Sequence, residues 1–317
     1  MDTIYCAWWN LENLFDTEDA ARTDKLKKSI GKDLVGWTAE ILDKKLNQLA
    51  KIINKMNDDK GPDIIGVAEV ENKEVLMKLK DKLNRNTYAI VHADSKDERG
   101  IDVAFIYDNG VFEAKETFFH CVMRRNATRD IVQANMKYRK NNSDIVLIGN
   151  HWPSRTAGAY ESEPYRIMAG ETLAYFHERI YEELNDNVPV IVMGDFNDNP
   201  YNRSIIEYAL SIHSKEKIKN AKETKYFYNL MWEPLAKGEG TYYYNGFDLL
   251  DQFLISGNII LDKTFISIDE QSCRIIKIPA MMKDGKPIKF GKPKDKAGVN
   301  ENGYSDHFPI AVNMNVK

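Results

Sequence analysis

Several short apolar runs along this chain end abruptly in carboxylates and amides. The clearest example is VIVMGDFNDNP, positions 190–200, where four apolar residues lead into Gly194 and then into a group that includes Asp195 and Asn197. A short apolar run rich in β-branched residues predicts a buried strand. The question is why a core strand should end in such polar groups.

Predicted strands alternate with predicted helices. Apolar residues recur at helical spacing from Thr38, a predicted N-cap, to Met56, which indicates an amphipathic helix of about five turns that the Gly-Pro pair at 61–62 ends. The run DIIGVAEV then predicts a buried strand that ends at Glu69. Further helices are predicted at about 74–83 and 164–184. Further strands are predicted at the start of the chain, near 88–92, 101–107 and 131–136, from 144 onward, and in FDLLDQFLIS and SDHFPIAVNM.

The order of these elements indicates an α/β fold. Some predicted strands follow one another as hairpin-like pairs and others are separated by helices, which disfavours a wheel of βαβ units and favours two packed sheets flanked by helices. No solenoid repeat or low-complexity tract interrupts the pattern, so we expect a single domain over 1–317. The main irregular region is 276–302, rich in Lys, Gly and Pro, which leads into Asp306 and His307.

Composition and charge restrict the possible partners. The chain is 43% hydrophobic and 29% charged, as expected of a soluble globular protein. Its formal net charge is −4 and its pI is near 6.0, so no overall positive field would hold nucleic acid nonspecifically. Any anionic substrate must therefore be met by local cations.

The compartment stays open at this point. No apolar run approaches the roughly 20 residues of a membrane span, so no transmembrane segment is expected. The chain does not open with a signal-peptide pattern, which is compatible with a cytoplasmic protein and with an exported one whose signal has been removed. Cys6, Cys121 and Cys273 are odd in number and lack CxxC spacing, so we expect buried thiols rather than disulfides or a zinc site. A monomer is expected.

Five apolar runs begin or end in the same kinds of residue. Any one such residue more often caps a turn or faces solvent. Together they offer hard oxygen ligands, two imidazoles and amide donors, which Mg²⁺-assisted phosphoryl transfer requires. The residues are Asn10, Glu69, Asn150 with His151, Asp195 with Asn197, and Asp306 with His307.

Six ordered motifs, from Asn10 to Pro309, resemble those of the endonuclease/exonuclease/phosphatase superfamily, which includes pancreatic deoxyribonuclease and the exonuclease III type of abasic-site endonuclease. They are WNLENLF, VAEVEN, IGNHWPSR, MGDFND, DLLDQFLIS and YSDHFPI. The resemblance implies a four-layered α/β/β/α sandwich of two packed mixed sheets flanked by helices, with the active site where strand ends of both sheets converge. It also explains the opening motif, because a buried strand would hold Asp195 and Asn197 rigidly at the phosphate.

The resemblance also implies ligands for a metal and groups that position water. Glu69 matches the principal metal-binding glutamate, Asn10 the amide beside the metal, and Asp306 a second carboxylate nearby. The expected metal is Mg²⁺, with Mn²⁺ as a substitute. Asp195 and Asn197 match the pair that orients the attacking water and steadies the transition state.

Two histidines and an arginine complete the implied site. His307 matches the histidine that contacts the scissile phosphate, and Asp251 matches the carboxylate that orients it. His151 matches a histidine of the deoxyribonuclease-like branch, where it donates a proton to the leaving oxygen. Arg155 in HWPSR is placed to bind a phosphate oxygen, although a surface arginine is an equal alternative.

The chemistry does not name the substrate, because nucleases, inositol-phosphate phosphatases and sphingomyelin-cleaving enzymes share this fold. The NHWPSR and EVEN forms most resemble a bacterial subgroup of predicted nucleases. The inositol phosphatase form GDxNYR is absent, since Asp198 follows Asn197. We therefore expect Mg²⁺-dependent hydrolysis of phosphodiester bonds in DNA or RNA. Two alternatives remain: a phosphoesterase acting on a small-molecule or lipid head-group phosphate, and a binding module that keeps the fold without the chemistry.

Three groups outside these motifs offer contacts for a nucleic acid. Arg124, Arg125 and Arg129 form one basic cluster, and the 276–302 segment holds seven lysines. Both cation groups would meet phosphates, or face solvent as ordinary surface residues. The aromatic run TYYYNG, which begins at Thr241, would stack a base or pack at the rim of the core.

Overall fold

A computed structural model describes residues 2–92, 100–123 and 128–317 of the chain. Its strands form two large sheets and two short hairpins. In chain order the strands are β1 (Thr3–Leu14), β2 (Ile64–Val70), β3 (Tyr88–Val91), β4 (Asp102–Asp108), β5 (Phe112–His120), β6 (Ile131–Tyr138), β7 (Ser143–His151), β8 (Val190–Asp195), β9 (Ser211–Ile212), β10 (Phe227–Asn229), β11 (Tyr242–Tyr243), β12 (Phe247–Asp248), β13 (Asp251–Ser256), β14 (Ile266–Ile275), β15 (Met282–Lys283), β16 (Lys286–Pro287) and β17 (Ile310–Val316).

Helices connect many of these strands. Thr38 caps α2 as predicted, since its side chain accepts a hydrogen bond from the backbone N–H of Ile41 at 3.4 Å. The α-helices are α1 (Asp24–Leu34), α2 (Ala39–Asp59), α3 (Lys73–Lys80), α4 (Ala159–Glu183), α5 (Lys215–Asn220), α6 (Trp232–Ala236) and α7 (Gly257–Ile260). A π-helical turn spans Ser204–Tyr208, and a 3₁₀ turn spans Pro279–Met281.

Both large sheets are mixed. The first has six strands in the order β14-β17-β1-β2-β4-β3, with β1 parallel to β2 and antiparallel to β17. The second has seven strands in the order β5-β6-β7-β8-β13-β10-β9, with β7 parallel to β8 and β13 antiparallel to β8. The remaining strands form the hairpins β11-β12 and β15-β16.

The two large sheets pack face to face at close range. Gly66 of β2 lies where a Cβ atom would be 2.6 Å from the Trp8 ring and 2.8 Å from the sulfur of Met193. Met193 belongs to β8 of the other sheet. A glycine is therefore required at this point, because any side chain would push the two layers apart.

The central strands of the second sheet are buried on both faces, which explains why their sequences are apolar without alternation. One set of side chains belongs to the core between the sheets: Ile145, Leu147, Ile191 and Met193. The alternate set packs with Leu173 and Ile180 of α4: Val146, Ile148, Val190 and Val192. Residues of α2 and α3, such as Leu49 and Leu76, join the core that contains the first sheet. The predicted arrangement of two packed mixed sheets flanked by helices is confirmed.

Some elements differ from the prediction. Helix α4 begins at Ala159, five residues before the predicted start at Pro164, because the side chains of Ser162 and Arg166 bond the carbonyls of Gly158 and Ala159 in an additional N-terminal turn. Helix α1 and strand β5 were not predicted. Only two residues of α1 are buried, and β5 lies at the edge of its sheet with several exposed residues, so neither has a strong apolar pattern.

The prediction for the cysteines is partly wrong. Cys6 and Cys273 are buried thiols as expected, but Cys121 is exposed. Cys121 follows the last residue of β5, where its neighbour Val122 is the side chain turned into the core. In the part of the chain that the structure describes, no helix has the length and apolar character needed to cross a membrane.

Candidate active site

Eight of the nine predicted site residues line one cavity of about 520 Å³. The first sheet provides Asn10 on β1, Glu69 on β2, and Asp306 and His307 just before β17. The second sheet provides His151 and Asp195 at the ends of β7 and β8, followed by Asn197, while Arg155 follows β7. The ninth residue, Asp251, is fully buried and touches His307 from below the cavity surface.

Strand register accounts for three of these positions. β7, β8 and β13 are adjacent, and His151 pairs with Asp195, which in turn pairs with Asp251. Side chains at paired positions of neighbouring strands lie next to one another. The sheet therefore places an imidazole and two carboxylates side by side where these three strands begin or end.

Three residues that line the cavity have left-handed backbone conformations. Asn13, Glu69 and Asn197 have φ values of 54°, 63° and 51°. Irregularities in strand pairing fall at the same places, between Asn10 and Leu14 on β1 and after Ala68 on β2. Each such residue costs on the order of 1–3 kcal/mol, a cost that proteins tend to retain at functional sites.

With this left-handed backbone conformation, Glu69 turns its carboxylate back toward β1. There the carboxylate accepts a hydrogen bond from the backbone N–H of Asn13 at 2.7 Å. The Asn10 side-chain amide lies 3.5 Å from the other carboxylate oxygen and donates to Asp195 at 3.0 Å. Asn10 therefore links the acid on β2 to the acid on β8, across the two sheets.

Asp251 connects the imidazole of His307 to the first sheet. One carboxylate oxygen of Asp251 accepts from Trp8 Nε1 at 2.8 Å, and the other lies 2.7 Å from His307 Nδ1. Burial alone would lower the pKa of His307, but the negative charges of Asp251 and Asp195 outweigh it and raise this pKa well above the usual value. The ring is therefore an imidazolium at neutral pH, with Nε2 directed away from Asp251.

Asp195 lies at the centre of the site. Its carboxylate accepts from the backbone N–H of Asn197 at 3.0 Å, and it lies 3.7 Å from His151 Nε2 and 3.8 Å from His307 Nε2. Burial is the main reason that its pKa is raised to about 6, and the charge of Asp251 adds to the effect. The charge of His307 and the hydrogen bonds from Asn197 and Asn10 oppose this rise.

Glu69 and Asp306 form a second acidic group. Burial raises the pKa of Asp306, and the charge of Glu69 raises it further, so the two carboxylates are close enough to repel one another. Glu69 also lies 3.7 Å from His151 Nε2. Two carboxylates at a partly exposed cavity wall suit a hard divalent cation.

Sequence reasoning missed a buried pair behind these acids. Lys45 of α2 is fully buried and donates from Nζ to the backbone carbonyl of Glu12. The Glu12 carboxylate accepts from the backbone N–H groups of Phe290 and Gly291 at 2.7 and 3.1 Å. Burial lowers the pKa of Lys45, and the charges of Glu12, Asp306 and Glu69 counteract this.

The sequence carried a signal for Lys45. It occupies the apolar face of α2 between Leu42 and Leu49, where a charged residue needs a partner in the core. Glu12 left no comparable signal, because its partners belong to a segment almost 280 residues away. The pair joins the irregular 276–302 region to the floor of the site.

Arg155 is held by protein acceptors. Its guanidinium donates to the backbone carbonyl of Asn197 at 2.6 Å and to Asp198 at 2.9 Å, and it lies 3.4 Å from Asp248. Asp198, a further residue that sequence reasoning did not include, is buried and also forms an ion pair with Arg166 at 2.8 Å. Its position directly after Asn197 in GDFND was the available signal.

Arg129 corrects one prediction. It is buried and donates to the backbone carbonyls of His151 and Trp152, at 3.2 and 2.9 Å, so it supports the end of β7 from inside the protein. The expectation that it contributes to a surface basic cluster is wrong. The other members of that cluster, Arg124 and Arg125, lie outside the described residues.

Several solved structures share this fold at low sequence identity. An endonuclease/exonuclease/phosphatase family protein from Bacteroides thetaiotaomicron is 14% identical, with 99% of this chain and 95% of that chain covered and a TM-score of 0.60. A mannosyl-6-phosphatase from the same organism is 15% identical, with 98% and 99% covered and a TM-score of 0.59. TDP2 from D. rerio, complexed with a single-strand DNA product, is 14% identical, with 100% of both chains covered and a TM-score of 0.55.

These structural similarities establish the fold, and a match to a family model establishes the family. No curated protein sequence matches the chain. The model described as the endonuclease/exonuclease/phosphatase family, however, matches residues 5–316, nearly the whole chain, which confirms the resemblance seen in the six motifs. The chain therefore belongs to the endonuclease/exonuclease/phosphatase family, whose members are hydrolases that act on phosphate esters and generally depend on a divalent metal.

Proposed function

We propose that the protein hydrolyses phosphodiester bonds of DNA or RNA by attack of water on phosphorus, with Mg²⁺ or Mn²⁺ as cofactor. The observation that supports this most is the meeting of three carboxylates and two imidazoles in one cavity: Glu69, Asp195, Asp306, His151 and His307. We further propose that residues 1–317 act as one catalytic domain and as a monomer.

Glu69 and Asp306, with Asn10 beside them, would hold the metal. Their mutual repulsion supports this assignment, because a divalent cation would relieve it. Asp195, Asp251 and His307 also offer ligand atoms within 4.8 Å of one another. Both oxygens of Asp251 are already engaged, by Trp8 and His307, and Asp251 lies below the cavity surface, so the first group is the better site. When bound, the cation supplies positive charge to the phosphate in the transition state.

Asp195 and Asn197 are proposed to orient the attacking water. The Asp195 carboxylate is fixed by the N–H of Asn197 and the amide of Asn10, so it needs little reorganisation as the reaction proceeds. With Nδ1 committed to Asp251, His307 presents Nε2 as a charged donor to a phosphate oxygen. His151 is proposed to donate a proton to the leaving oxygen.

Arg155 is proposed to bind a phosphate oxygen at the edge of the cavity. Its side chain is 24% exposed and lines the cavity, and its contacts with Asn197 and Asp198 fix its orientation. Asp198 and Asp248 offset much of its charge. We therefore expect Arg155 to orient the substrate phosphate through hydrogen bonds and to add little to its electrostatic attraction.

Nucleic acid is the proposed substrate, and two observations support it. The NHWPSR and EVEN motifs resemble those of predicted nucleases. The fold neighbour from D. rerio holds a single-strand DNA product. A small phosphoester is a second candidate, favoured by the mannosyl-6-phosphatase neighbour and by the few cations that the described residues place along the cavity.

Metal dependence gives the first prediction. Hydrolysis of bis-p-nitrophenyl phosphate should stop when metal is chelated and return when Mg²⁺ or Mn²⁺ is added. Glu69→Gln should lower kcat by at least about 10- to 100-fold without unfolding the protein, because it keeps the shape of the ligand and removes its charge. Glu74→Gln is the matched control, since Glu74 is an exposed acid on α3. Activity that survives exhaustive chelation would contradict the metal assignment.

The second prediction concerns the charge of His307. In the metal-free protein, long-range ¹H–¹⁵N NMR should find this ring protonated on both nitrogens at pH 7, because Asp251 and Asp195 raise its pKa. Asp251→Asn should lower that pKa. His177 is the internal control, because burial lowers its pKa to about 3 and it should stay neutral across the titration.

The raised pKa of His307 also determines how its contribution to the stability of the folded protein changes with pH. The pKa of His307 is higher in the folded protein than the value of about 6.5 expected when unfolded. Its contribution to stability is therefore fully present below about pH 6.5 and is lost as the pH rises through the folded pKa. A His307 that titrates at or below its unfolded value would contradict this account.

The third prediction concerns the substrate class. A panel of single-stranded DNA, duplex DNA, abasic-site DNA, RNA, inositol phosphates, mannose 6-phosphate and sphingomyelin should include at least one nucleic acid that is cleaved. A contact with several phosphates of a polymer would make kcat/KM fall steeply with salt. Turnover of a small phosphoester or phospholipid, with every nucleic acid left intact, would reject the nuclease proposal in favour of the second candidate.

A further inference from the structure

A short aromatic hairpin stands beside the catalytic cavity. It consists of β11 and β12, joined by a turn in which Asn245 and Gly246 have positive φ values of 56° and 157°. The hairpin comprises Thr241 to Asp248 and carries the aromatic run noted in the sequence. We call this segment the aromatic hairpin.

The base of the aromatic hairpin is fixed to the catalytic residues. Thr241 is fully buried, and its hydroxyl accepts from the backbone N–H groups of Leu250 and Asp251, at 3.2 and 3.1 Å. The ring of Tyr242 packs on His307, with 4.9 Å between centroids. The hairpin therefore has a defined position relative to the imidazole that is proposed to bind the scissile phosphate.

The tip of the aromatic hairpin is exposed. Tyr243 and Phe247 pack against each other edge to face at 5.1 Å, so each of these two rings has an aromatic partner within the hairpin. Tyr244, by contrast, is 72% exposed and lines the catalytic cavity. Because this ring lines the cavity and is mostly exposed, a ligand bound in the cavity can reach it.

A second hairpin adds positive charge at the same place. Lys286 of the β15-β16 hairpin places its ammonium 4.0 Å from the centre of the Tyr243 ring. Lys283 is exposed on the same hairpin. Two other lysines of the 276–302 segment are engaged elsewhere, Lys277 with Glu239 and Lys292 with Asp33. The aromatic and basic side chains therefore meet at one edge of the site.

We propose that Tyr244 stacks a nucleobase of a single-stranded nucleic acid next to the scissile phosphate, while Lys283 and Lys286 contact the phosphates beyond it. The inference rests on the proposed nuclease function and specifies its substrate. Aromatic rings that accept base faces beside cations that follow the backbone are the combination by which proteins bind single strands. In a duplex the base faces are covered by neighbouring bases, so this site selects unpaired nucleotides.

The decisive experiment compares the KM values of tyrosine variants for one oligonucleotide, first as a single strand and then annealed to its complement as a duplex. Tyr244→Ala should raise KM for the single strand by about 5- to 150-fold while kcat changes little, since stacking contributes about 1–3 kcal/mol per base. Tyr244→Phe keeps the ring and should restore KM. Tyr175→Ala is the matched control, because Tyr175 is 55% exposed on α4 and does not line the cavity. Its KM should stay within about twofold of that of the unaltered protein.

A second measurement tests the lysines. The double variant with Lys283→Ala and Lys286→Ala should flatten the dependence of kcat/KM on salt, by a slope of roughly 0.7 for each lost phosphate contact. Lys51→Ala, an exposed lysine of α2, is the control and should leave the slope unchanged.

The outcomes separate this inference from the proposed function. Cleavage of single strands with equal KM values for Tyr244→Ala and Tyr175→Ala would overturn the stacking site and leave the nuclease function intact. A loss that is equal on the single strand and the duplex would also overturn it. Failure of the unaltered protein to cleave any nucleic acid would reject the nuclease function itself, and the stacking site with it.

Discussion

The carboxylate of Asp251 is the group on which the arrangement of the site depends. It is fully buried and would cost several kcal/mol if left without partners. Its partners are Trp8 of the first sheet and His307, which precedes the last strand of that sheet, whereas Asp251 itself begins a strand of the second sheet. The bonds that satisfy this charge therefore also hold the two sheets together where the predicted residues converge.

Charge compensation extends from there through the floor of the cavity. Burial raises the pKa of Asp195 to about 6 and that of Glu12 to about 8, which marks how strongly the acids are desolvated. The buried cations that offset them are Lys45 and His307. The same two cations act on Asp306, whose pKa their charges lower against the effect of burial. An anionic wall beside a charged imidazole suits a substrate phosphate that arrives together with a divalent cation.

Much of this arrangement was predictable because it is local. The local sequence shows both the apolar run of a buried strand and the polar residue at its end, such as Asp195 or Glu69. Eight of the nine predicted residues line one cavity. What could not be predicted depends on distant parts of the chain. Glu12 bonds backbone groups at 290 and 291, and the burial of Arg129 follows from the carbonyls of the β7 end. The exposure of Tyr244 likewise follows from where its hairpin lies, which the letters TYYYNG do not specify.

The location of the metal tests the account most directly. A crystal grown with Mn²⁺ should give one strong anomalous peak in the cavity, bonded to carboxylate oxygens of Glu69 and Asp306, at a distance near the roughly 2.1 Å expected of small hard cations. The contact between His307 Nδ1 and Asp251 should persist in that crystal. A peak bonded instead to Asp195, Asp251 and His307, or a cavity without any anomalous peak, would contradict the account.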